Sequence, residues 1–232
     1  MHLKAVRHLR RSDPLMEKLI ALVGPCRLDV SLERSPFQAL VTAVAHQQLT
    51  GRVAEVILGR FLALFPRRAF PSPAQVLDTS AEVLRSVGFS EAKARAIHDI
   101  ALKTMEGVVP SSKEAQALED AEIIERLTTV RGVGRWTVEM FLIFTLGRLD
   151  VLPVDDFGVR KGFAVVEGLK KLPKPKALQS RGERWAPYRS VAAWYLWRAT
   201  EFKSSASTTP KRRSPVRRGP RRKKAARPNT AK

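Results

Sequence analysis

Apolar residues recur at helical spacing along most of the chain that precedes Ser204. The segment 36–45 begins with proline, which favours the first turn of a helix, and continues as a mainly apolar run. The segment 53–65 carries an amphipathic stripe with the period of a helix. Ser90 occupies a typical N-cap position ahead of a segment that extends to Met105. These patterns predict three helices.

The second half of the chain continues the helical pattern. Residues 127–146 contain two helical stretches separated by a glycine break, and the first stretch is expected to end at Val130. Residues 185–202 predict a last helix, in which Trp194 and Trp197 are expected to pack in the core. No segment has the sustained alternation of a β-strand, so the predicted fold class is all-α.

The composition changes abruptly after Lys203. Residues 204–232 contain 11 Lys and Arg, four prolines, no acidic residue and no aromatic residue. Such a segment has too little apolar surface to offset the entropy of ordering, which predicts a disordered basic tail. The sequence therefore predicts a helical domain over residues 1–203 and a tail over 204–232.

The charge of the chain is unusually positive. Lys and Arg number 42 against 22 acidic residues, a net charge of +20, and without the tail 31 basic residues still face 22 acidic ones. A polyanionic partner is expected, with nucleic acid favoured over a membrane because no stretch approaches the length of a transmembrane helix.

The few cysteines and histidines exclude several kinds of site. The single Cys26 rules out an intramolecular disulfide and a cysteine-rich metal or iron–sulfur site. The four histidines are scattered, which argues against a metal centre built from imidazoles. The first residues lack the apolar region of a signal peptide, so we expect an intracellular, reducing location.

A glycine-rich hairpin lies within residues 123–146, which contain Leu127-Thr-Thr-Val-Arg-Gly-Val-Gly-Arg-Trp-Thr137. Gly132 and Gly134 allow a tight turn in which Val133 packs down between two helices. The second helix then presents unpaired backbone N–H groups, a binding site for a DNA phosphate that reads no sequence. An ordinary helix–helix turn with a glycine cap is the alternative interpretation.

Two adjacent acids follow Pro153 at a point where a new helix is expected to begin. Asp155 or Asp156 can serve simply as the helix N-cap. A carboxylate beside a basic DNA groove can also stabilise positive charge that develops on a deoxyribose during loss of a base. The residues themselves leave both interpretations open.

The segment 37–198 resembles the glycosylase domain of the helix-hairpin-helix (HhH-GPD) superfamily of DNA glycosylases. It is most similar to the 3-methyladenine DNA glycosylase II branch. Thirty-five residues precede Pro36, so we expect the compact form of that branch. The matching motifs, in family order, are Ala45-His-Gln-Gln-Leu-Thr-Gly51, Gly132-Val-Gly-Arg-Trp-Thr137, Pro153-Val-Asp-Asp-Phe-Gly158 and Arg184-Trp-Ala-Pro-Tyr-Arg-Ser190.

The resemblance implies a two-lobed helical fold and a set of site residues. In this branch the second acid of the pair is catalytic, which implies Asp156 rather than Asp155. Residues expected to line the pocket for a flipped base are Trp136, Trp185, Phe37, Tyr188 and His46. Residues expected to contact DNA are Gln47, Gln48, Leu49, Arg131, Gly132, Val133, Gly134, Arg135, Thr137 and Lys161.

Two of these expectations concern particular positions. Either Gln48 or Leu49 is expected to fill the gap that a flipped nucleotide leaves in the duplex. No metal or other cofactor is required, although Thr137 and the carbonyls of the hairpin 132–137 are a possible site for a monovalent cation. For surface Arg131, Arg135 and Lys161, ordinary solvated charges are the alternative.

The resemblance further implies a monofunctional enzyme. Trp136 stands where bifunctional members of the superfamily carry a nucleophilic lysine, and tryptophan cannot form a Schiff base. We therefore expect hydrolytic excision of alkylated bases such as 3-methyladenine and 7-methylguanine from double-stranded DNA, without strand cleavage. A monomer acting in the cytoplasm on the nucleoid is expected. The alternatives are a glycosylase for oxidised or deaminated bases and a non-catalytic DNA-binding protein.

Overall fold

A computed structural model describes residues 2–206 of the chain, and the side chains within that range up to Glu201. Every regular element in this range is helical, and no strand is formed between His2 and Ala206. No helix within the same residues is long and apolar enough to cross a membrane. The all-α prediction is confirmed. The tail prediction for residues 207–232 lies outside the described residues.

The first half of the described chain contains eight helices, which follow one another with short connections. Their bounds are α1 Leu3–Ser12, α2 Pro14–Val23, α3 Pro36–His46, α4 Gly51–Ala63, α5 Pro73–Leu77, α6 Ala81–Ser86, α7 Glu91–Met105 and α8 Ser112–Ala117.

The second half adds five helices and one 3₁₀ turn. Their bounds are α9 Asp120–Thr128, α10 Arg135–Phe144, α11 Phe157–Val166, α12 Pro175–Gly182, the 3₁₀ turn Glu183–Trp185 and α13 Arg189–Ala206.

The helices form two lobes around a continuous apolar core. In one lobe α7 packs against α3, α5 and α6, while α10 packs against α3 and α9. In the other lobe α13 packs against α11, α1 and α2. The N-terminal helices therefore join the last ones, and the connection between α10 and α11 lies where the two lobes meet.

Serine side chains begin five of the helices, as local sequence chemistry dictates. Ser35, Ser72, Ser80, Ser90 and Ser111 each accept a backbone N–H from the first turn of the helix that follows. Each bond pairs one of the N–H groups that a helix leaves unsatisfied at its start. The predicted cap at Ser90 is confirmed.

Some predicted helix boundaries were wrong. The helix expected over 185–202 is a 3₁₀ turn that ends at Trp185, followed by α13 from Arg189 to Ala206. Pro187 separates them, because proline donates no N–H to a helical ladder. Since α13 continues to Ala206, residues 204–206 belong to a helix and not to the predicted tail. The first helix of the hairpin ends at Thr128, two residues before the predicted Val130.

A buried carboxylate connects the N-terminal helices to α12 and the 3₁₀ turn. Asp13 is fully buried, accepts the backbone N–H of Leu15 at the start of α2, and accepts the indole N–H of Trp185 at 2.9 Å. Arg181 binds the same carboxylate through two nitrogens, at 2.8 and 2.9 Å. Burial alone would raise the pKa of Asp13, but these hydrogen bonds outweigh it and hold the pKa below its ordinary value.

Candidate active site

The glycine hairpin between α9 and α10 has the geometry of a phosphate-binding turn. Gly132 has a φ of +76°, and a Cβ there would lie 2.7 Å from the Cβ of Ala96, so only glycine fits without strain. Val133 is buried between the helices, as predicted. Gly134 is the N-cap of α10 and supplies no capping side chain, which leaves the first N–H groups of α10 available to an anion.

One face of α7 supports this hairpin from behind. Ala96 lies directly beneath Gly132. One turn further along, Asp99 accepts the backbone N–H of Arg131 at 2.7 Å. The backbone of the turn is therefore fixed on its inner side, while the side chain of Arg131 remains exposed on the outer side.

Asp156 is the N-cap of α11 and the centre of a small hydrogen-bonded cluster. Its Oδ1 accepts the backbone N–H of Val159 at 2.7 Å and the indole N–H of Trp197 at 2.8 Å. Its Oδ2 accepts the indole N–H of Trp136 at 2.7 Å. Three donors from α10, α11 and α13 thus fix the orientation of one carboxylate. Asp156 combines the capping role with a position fixed for electrostatic catalysis, so the two sequence interpretations do not exclude each other.

The two tryptophans that hold Asp156 differ in accessibility. Trp136 is 43% exposed and stands at the start of α10 beside the hairpin. Trp197 is half-buried and stacks on Phe144, with ring centroids 5.7 Å apart. Phe157, next to Asp156 in sequence, is 65% exposed. An accessible indole therefore contacts the carboxylate directly.

Trp197 is a site residue that the sequence prediction missed. It was expected in the core with Trp194, and only Trp194 fits that expectation, packing against Tyr195 and Arg198. The available signal was Gly158, because a Cβ at that position would lie 2.8 Å from the indole of Trp197. A glycine directly after an acid–aromatic pair can indicate that a large side chain approaches the start of the helix.

A small cavity lies close to the cluster. It has a volume of about 130 Å³ and is lined mainly by Ala39 and Ala43 of α3 and by Met140 and Phe144 of α10. Phe144 borders this cavity and also stacks on Trp197. Trp136, Met140 and Phe144 are four residues apart along α10 and share one face of it. Phe144 therefore links the cluster around Asp156 to a cavity between α3 and α10.

Arg135 is the first residue of α10 and carries an exposed guanidinium beside the hairpin. Its Nε donates to the buried Glu139 at 3.0 Å. Burial, opposed by Arg135 and reinforced by the nearby Asp155 and Asp156, raises the pKa of Glu139. The terminal nitrogens of an arginine held through Nε can still face a phosphate.

The loop between α3 and α4 stands next to the hairpin. The amide nitrogen of Gln47 donates to the carbonyl oxygen of Gly132 at 3.0 Å, which joins the loop to the hairpin. Gln48 is exposed and has a φ of +56°, an uncommon conformation for a residue other than glycine. Leu49 is 39% exposed. Two side chains, one polar and one apolar, thus project at the tip of a fixed loop.

The loop also contacts the possible cation site at residues 132–137. The amide nitrogen of Gln47 lies 3.0 Å from the Gly132 carbonyl oxygen and 3.4 Å from the Thr137 hydroxyl. A monovalent cation at this hairpin stays a prediction. No metal-binding group of three or more His, Cys, Asp or Glu side chains occurs within residues 2–206.

Three of the five residues predicted to line a base pocket are placed elsewhere. Trp185 is 1% exposed and bonded to Asp13, so it supports the core and cannot contact a base. Phe37 is buried at the N-terminal end of α3, where it packs edge-to-face on Phe70. Tyr188 packs edge-to-face on His8. These three residues were assigned to a pocket because they lie in or near the matching motifs. Position near a motif in the sequence does not determine the direction of a side chain.

Of the remaining predicted residues, Thr137 is buried in the first turn of α10, whereas His46 and Lys161 lie on α3 and α11. His46 is the last residue of α3, half-buried, and bonded through Nδ1 to the carbonyl oxygen of Thr42. Lys161 is exposed on α11, little more than one turn beyond Asp156. Contacts of these residues with DNA stay predictions.

The hairpin, the capped carboxylate and the helical fold define a class of protein. Residues 41–187 match the model of the HhH-GPD superfamily base excision DNA repair proteins, and the chain belongs to this family. It is 41% identical to the DNA-3-methyladenine glycosylase 1 of Schizosaccharomyces pombe over 200 residues, which cover 86% of this chain and 88% of that protein.

Two solved structures are similar along nearly the whole described fold. One is the S. pombe 3-methyladenine DNA glycosylase in complex with abasic DNA, with a TM-score of 0.78 and 39% identity over 85% of this chain and 97% of that one. The other is a DNA-3-methyladenine glycosidase from Bacillus halodurans, with a TM-score of 0.78 and 35% identity over 86% of this chain and 91% of that one.

Proposed function

We propose that this protein is a monofunctional DNA glycosylase of base excision repair that hydrolyses the glycosidic bond of alkylated bases, 3-methyladenine and 7-methylguanine among them. The observation that carries the proposal is Asp156, a carboxylate fixed by Trp136 and Trp197 beside a phosphate-binding hairpin. The similarity to proteins named as DNA-3-methyladenine glycosylases supports the same substrate class.

DNA binding is assigned to the exposed backbone and side chains around the hairpin. The N–H groups at the start of α10 hold a phosphate of the damaged strand, and Arg131, Arg135 and Lys161 add charge. None of these contacts reads a base, which suits an enzyme that must find damage in any sequence. Gln48 or Leu49 occupies the gap in the duplex when the damaged nucleotide is flipped.

The chemistry follows from the charge of the lesion. A base alkylated at a ring nitrogen is cationic, so it leaves readily and needs little protonation. As the bond breaks, positive charge moves to the sugar, and the fixed carboxylate of Asp156 stabilises it without reorganising. The same carboxylate can accept a proton from the attacking water. The exposed face of Trp136 attracts the electron-poor base.

The residue after the hairpin, Trp136, favours hydrolysis without strand cleavage. Trp136 provides no amine with which to attack the sugar, so the product is an intact strand with an abasic site. The first experiment incubates the protein with methylated duplex DNA, identifies released bases by chromatography, and tests the strand for breaks before and after alkali. We expect 3-methyladenine among the released bases and breaks only after alkali.

Asp156→Asn provides the matching variant. Asparagine still caps α11, but it lacks the charge and has one oxygen fewer for the two indoles, so single-turnover excision should fall at least about a hundred-fold. DNA affinity should stay equal or improve, because a negative charge is removed near phosphates. Asp155→Asn is the control: it makes the same charge change at the exposed neighbouring acid and should leave excision within a few-fold of the wild type.

The outcomes separate the competing functions. Equal losses in both variants would assign the effect to the local charge instead of Asp156. An intact, DNA-binding protein that releases no methylated base would refute the substrate class and direct the search to deaminated and oxidised bases. If the protein releases neither deaminated nor oxidised bases, it is a non-catalytic DNA-binding protein.

We also propose that the protein acts as a monomer in the cytoplasm, on nucleoid DNA, because a single damaged nucleotide offers no two-fold symmetric site. Light scattering of the complex with a short damaged duplex tests the stoichiometry. The 11 basic residues of 204–232 are proposed to add salt-dependent, sequence-independent affinity.

A further inference from the structure

A lysine of α7 is bonded to the loop between α3 and α4. Lys93 lies in the first turn of α7, and its Nζ donates to the carbonyl oxygen of Ala45 at 2.9 Å and to that of Gln47 at 2.7 Å. The last carbonyls of a helix have no partner within it and carry its partial negative charge. A lysine from a neighbouring helix thus caps the C-terminal end of α3.

The environment of Lys93 differs from that of an ordinary surface lysine. The side chain is half-buried, and this burial lowers the pKa of Lys93. An ammonium group that loses hydration is tolerated where it gains hydrogen bonds, and here two carbonyl oxygens supply them. The long side chain is therefore held in one place, at the cost of its rotational freedom.

The loop beyond this cap has an uncommon backbone conformation. Gln48 follows the second bonded carbonyl directly and has a φ of +56°. Such conformations persist only where the surrounding structure fixes them. Neither Gln48 nor Leu49 contributes a side chain to the core, because both are exposed. The loop is instead held through its backbone: Lys93 holds the carbonyl of the residue before them, and the N–H of Leu49 donates to the carbonyl oxygen of His46 at 3.3 Å.

The same face of α7 fixes the hairpin. Lys93, Ala96 and Asp99 are three residues apart; Ala96 lies beneath Gly132, and Asp99 accepts the N–H of Arg131. The side chain of Gln47 closes the arrangement by donating to the Gly132 carbonyl. The loop tip and the phosphate-binding turn are therefore held at a constant separation by one helix.

We propose that Lys93 is a positioning residue that keeps Gln48 and Leu49 in the conformation that enters the duplex, in register with the hairpin that grips the backbone. The proposal rests on the proposed glycosylase function, since only an enzyme that flips a nucleotide needs this gap to be filled. Lys93 touches neither the sugar nor the base, and acts through the loop alone.

The test measures how well the protein distinguishes a gap in the base stack from intact DNA. Lys93→Met removes the donor and keeps most of the side-chain volume. The ratio of the Kd for an undamaged duplex to the Kd for a duplex with one abasic site should fall about ten-fold, as expected for loss of one charge-assisted hydrogen bond. This readout requires no catalysis, so it remains valid if the protein excises no methylated base.

Lys103→Met is the matched control. It removes the same charge from the same helix, at the end that points away from the loop, where Lys103 pairs with Glu106. It should leave the ratio unchanged. Lys93→Arg, which keeps the charge and offers several N–H donors, should recover part of the ratio.

Excision provides a second readout. Methylated single-stranded DNA has no stack to fill, so Lys93→Met should slow excision from duplex about ten-fold and excision from a single strand much less. In a double-mutant cycle, Lys93→Met and Gln47→Ala should be less than additive in the Kd ratio, because both release the same loop.

Three results would overturn the proposal. The first is an unchanged Kd ratio in Lys93→Met. The second is an equal loss of affinity for damaged and undamaged DNA, which would assign the effect to charge alone. The third is an equal slowing of excision from duplex and single strand with full additivity in the cycle, which would assign it to general loosening of the fold. A fallen ratio in a protein that excises nothing would support the role of Lys93 and refute the proposed chemistry.

Discussion

The two indole donors to Asp156 come from residues far from it in the sequence. Trp136 reaches the carboxylate from the preceding helix, 20 residues away, and Trp197 reaches it from the last helix, 41 residues away. The indole N–H is a single donor, so each tryptophan can fix one carboxylate oxygen and nothing else. The orientation of Asp156 is therefore set by residues on three elements.

Trp197→Phe tests this orientation. Phenylalanine keeps the stack on Phe144 and removes the N–H that holds Oδ1, so the free energy of unfolding should change by less than about 1 kcal/mol. Single-turnover excision should slow about ten-fold, because the carboxylate is less well placed beside the sugar. Trp194→Phe, on the same helix but without a bond to Asp156, should leave excision unchanged, and an equal loss in both variants would contradict the assignment.

At the residue scale, the sequence predicts partners along the chain better than partners across it. Asp156 was placed by its motif and its position ahead of a helix. Trp185 and Phe37 were assigned to a pocket because they stand in or near motifs, yet their rings point into the core. Lys93 and Trp197 were missed because their partners lie on other helices. The spacing of residues within one helix does not indicate contacts with another helix.

At the scale of elements, α11 and α13 approach each other closely at Gly162. A Cβ added to Gly162 of α11 would lie 1.8 Å from the carbonyl oxygen of Leu196 in α13. The helices can approach so closely only because glycine has no side chain. This contact sets the distance between Asp156, at the start of α11, and Trp197 on α13.

Gly162→Ala should force the two helices apart. We expect a loss of about 1–3 kcal/mol in the free energy of unfolding, as for other overpacked cores, measured by urea denaturation followed by circular dichroism. Excision should fall as well, since the bond from Trp197 to Asp156 spans the same pair of helices.

Gly59→Ala is the control for that substitution. Gly59 lies in α4 with open space around the position of a Cβ, so alanine should stabilise the protein by about 0.5–1 kcal/mol through helix propensity. Equal effects of the two substitutions would show that propensity, and not contact between helices, governs Gly162.

Most helices could be predicted from periodicity and caps. For the last helix, the boundary that was predicted wrongly lies where periodicity continues but the backbone does not stay helical. The segments 36–45 and 90–105 were predicted nearly at their true bounds, because Pro36 and Ser90 mark the beginnings. The last helix was begun too early because apolar periodicity continues through Pro187, where the backbone cannot remain helical. The two-lobed arrangement followed from resemblance alone, since periodicity indicates which face is buried and not against which helix.

At the scale of the whole molecule, Asp13 joins the first helices to the last ones. Its bonds to Arg181 and Trp185 span 168 and 172 positions of the chain. A local sequence search finds only an aspartate before a proline, which is an ordinary N-cap. The site itself lies elsewhere, so this network contributes stability and not catalysis.

Asp13→Asn should lower the free energy of unfolding by about 3 kcal/mol near neutral pH, because Arg181 loses the buried carboxylate that binds it through two nitrogens and keeps only Glu167 as a counter-charge. The folded pKa of Asp13 is depressed, so its contribution is present above the ordinary aspartate pKa and is lost as the pH falls through the folded value. The difference between wild type and variant in urea denaturation should thus shrink below about pH 4.

The exposed Asp29 provides the comparison for that measurement. Asp29→Asn makes the same chemical change on the surface and should alter the free energy of unfolding by less than about 0.5 kcal/mol at any pH. A difference between Asp13→Asn and the wild type that stays constant down to strongly acidic pH would argue that packing, and not the ionised carboxylate, is the source of the stability.

The unequal exposure of the tryptophans also gives the protein its own optical reporter. Trp185 and Trp194 are shielded from solvent, Trp197 is half-shielded, and Trp136 stands open beside the carboxylate. A water-soluble quencher such as acrylamide should quench chiefly the fluorescence of Trp136. A duplex bound at the hairpin should protect Trp136 from the quencher. Occupancy of the site can therefore be followed by intrinsic fluorescence, on unlabelled protein and unmodified DNA, before any base is released.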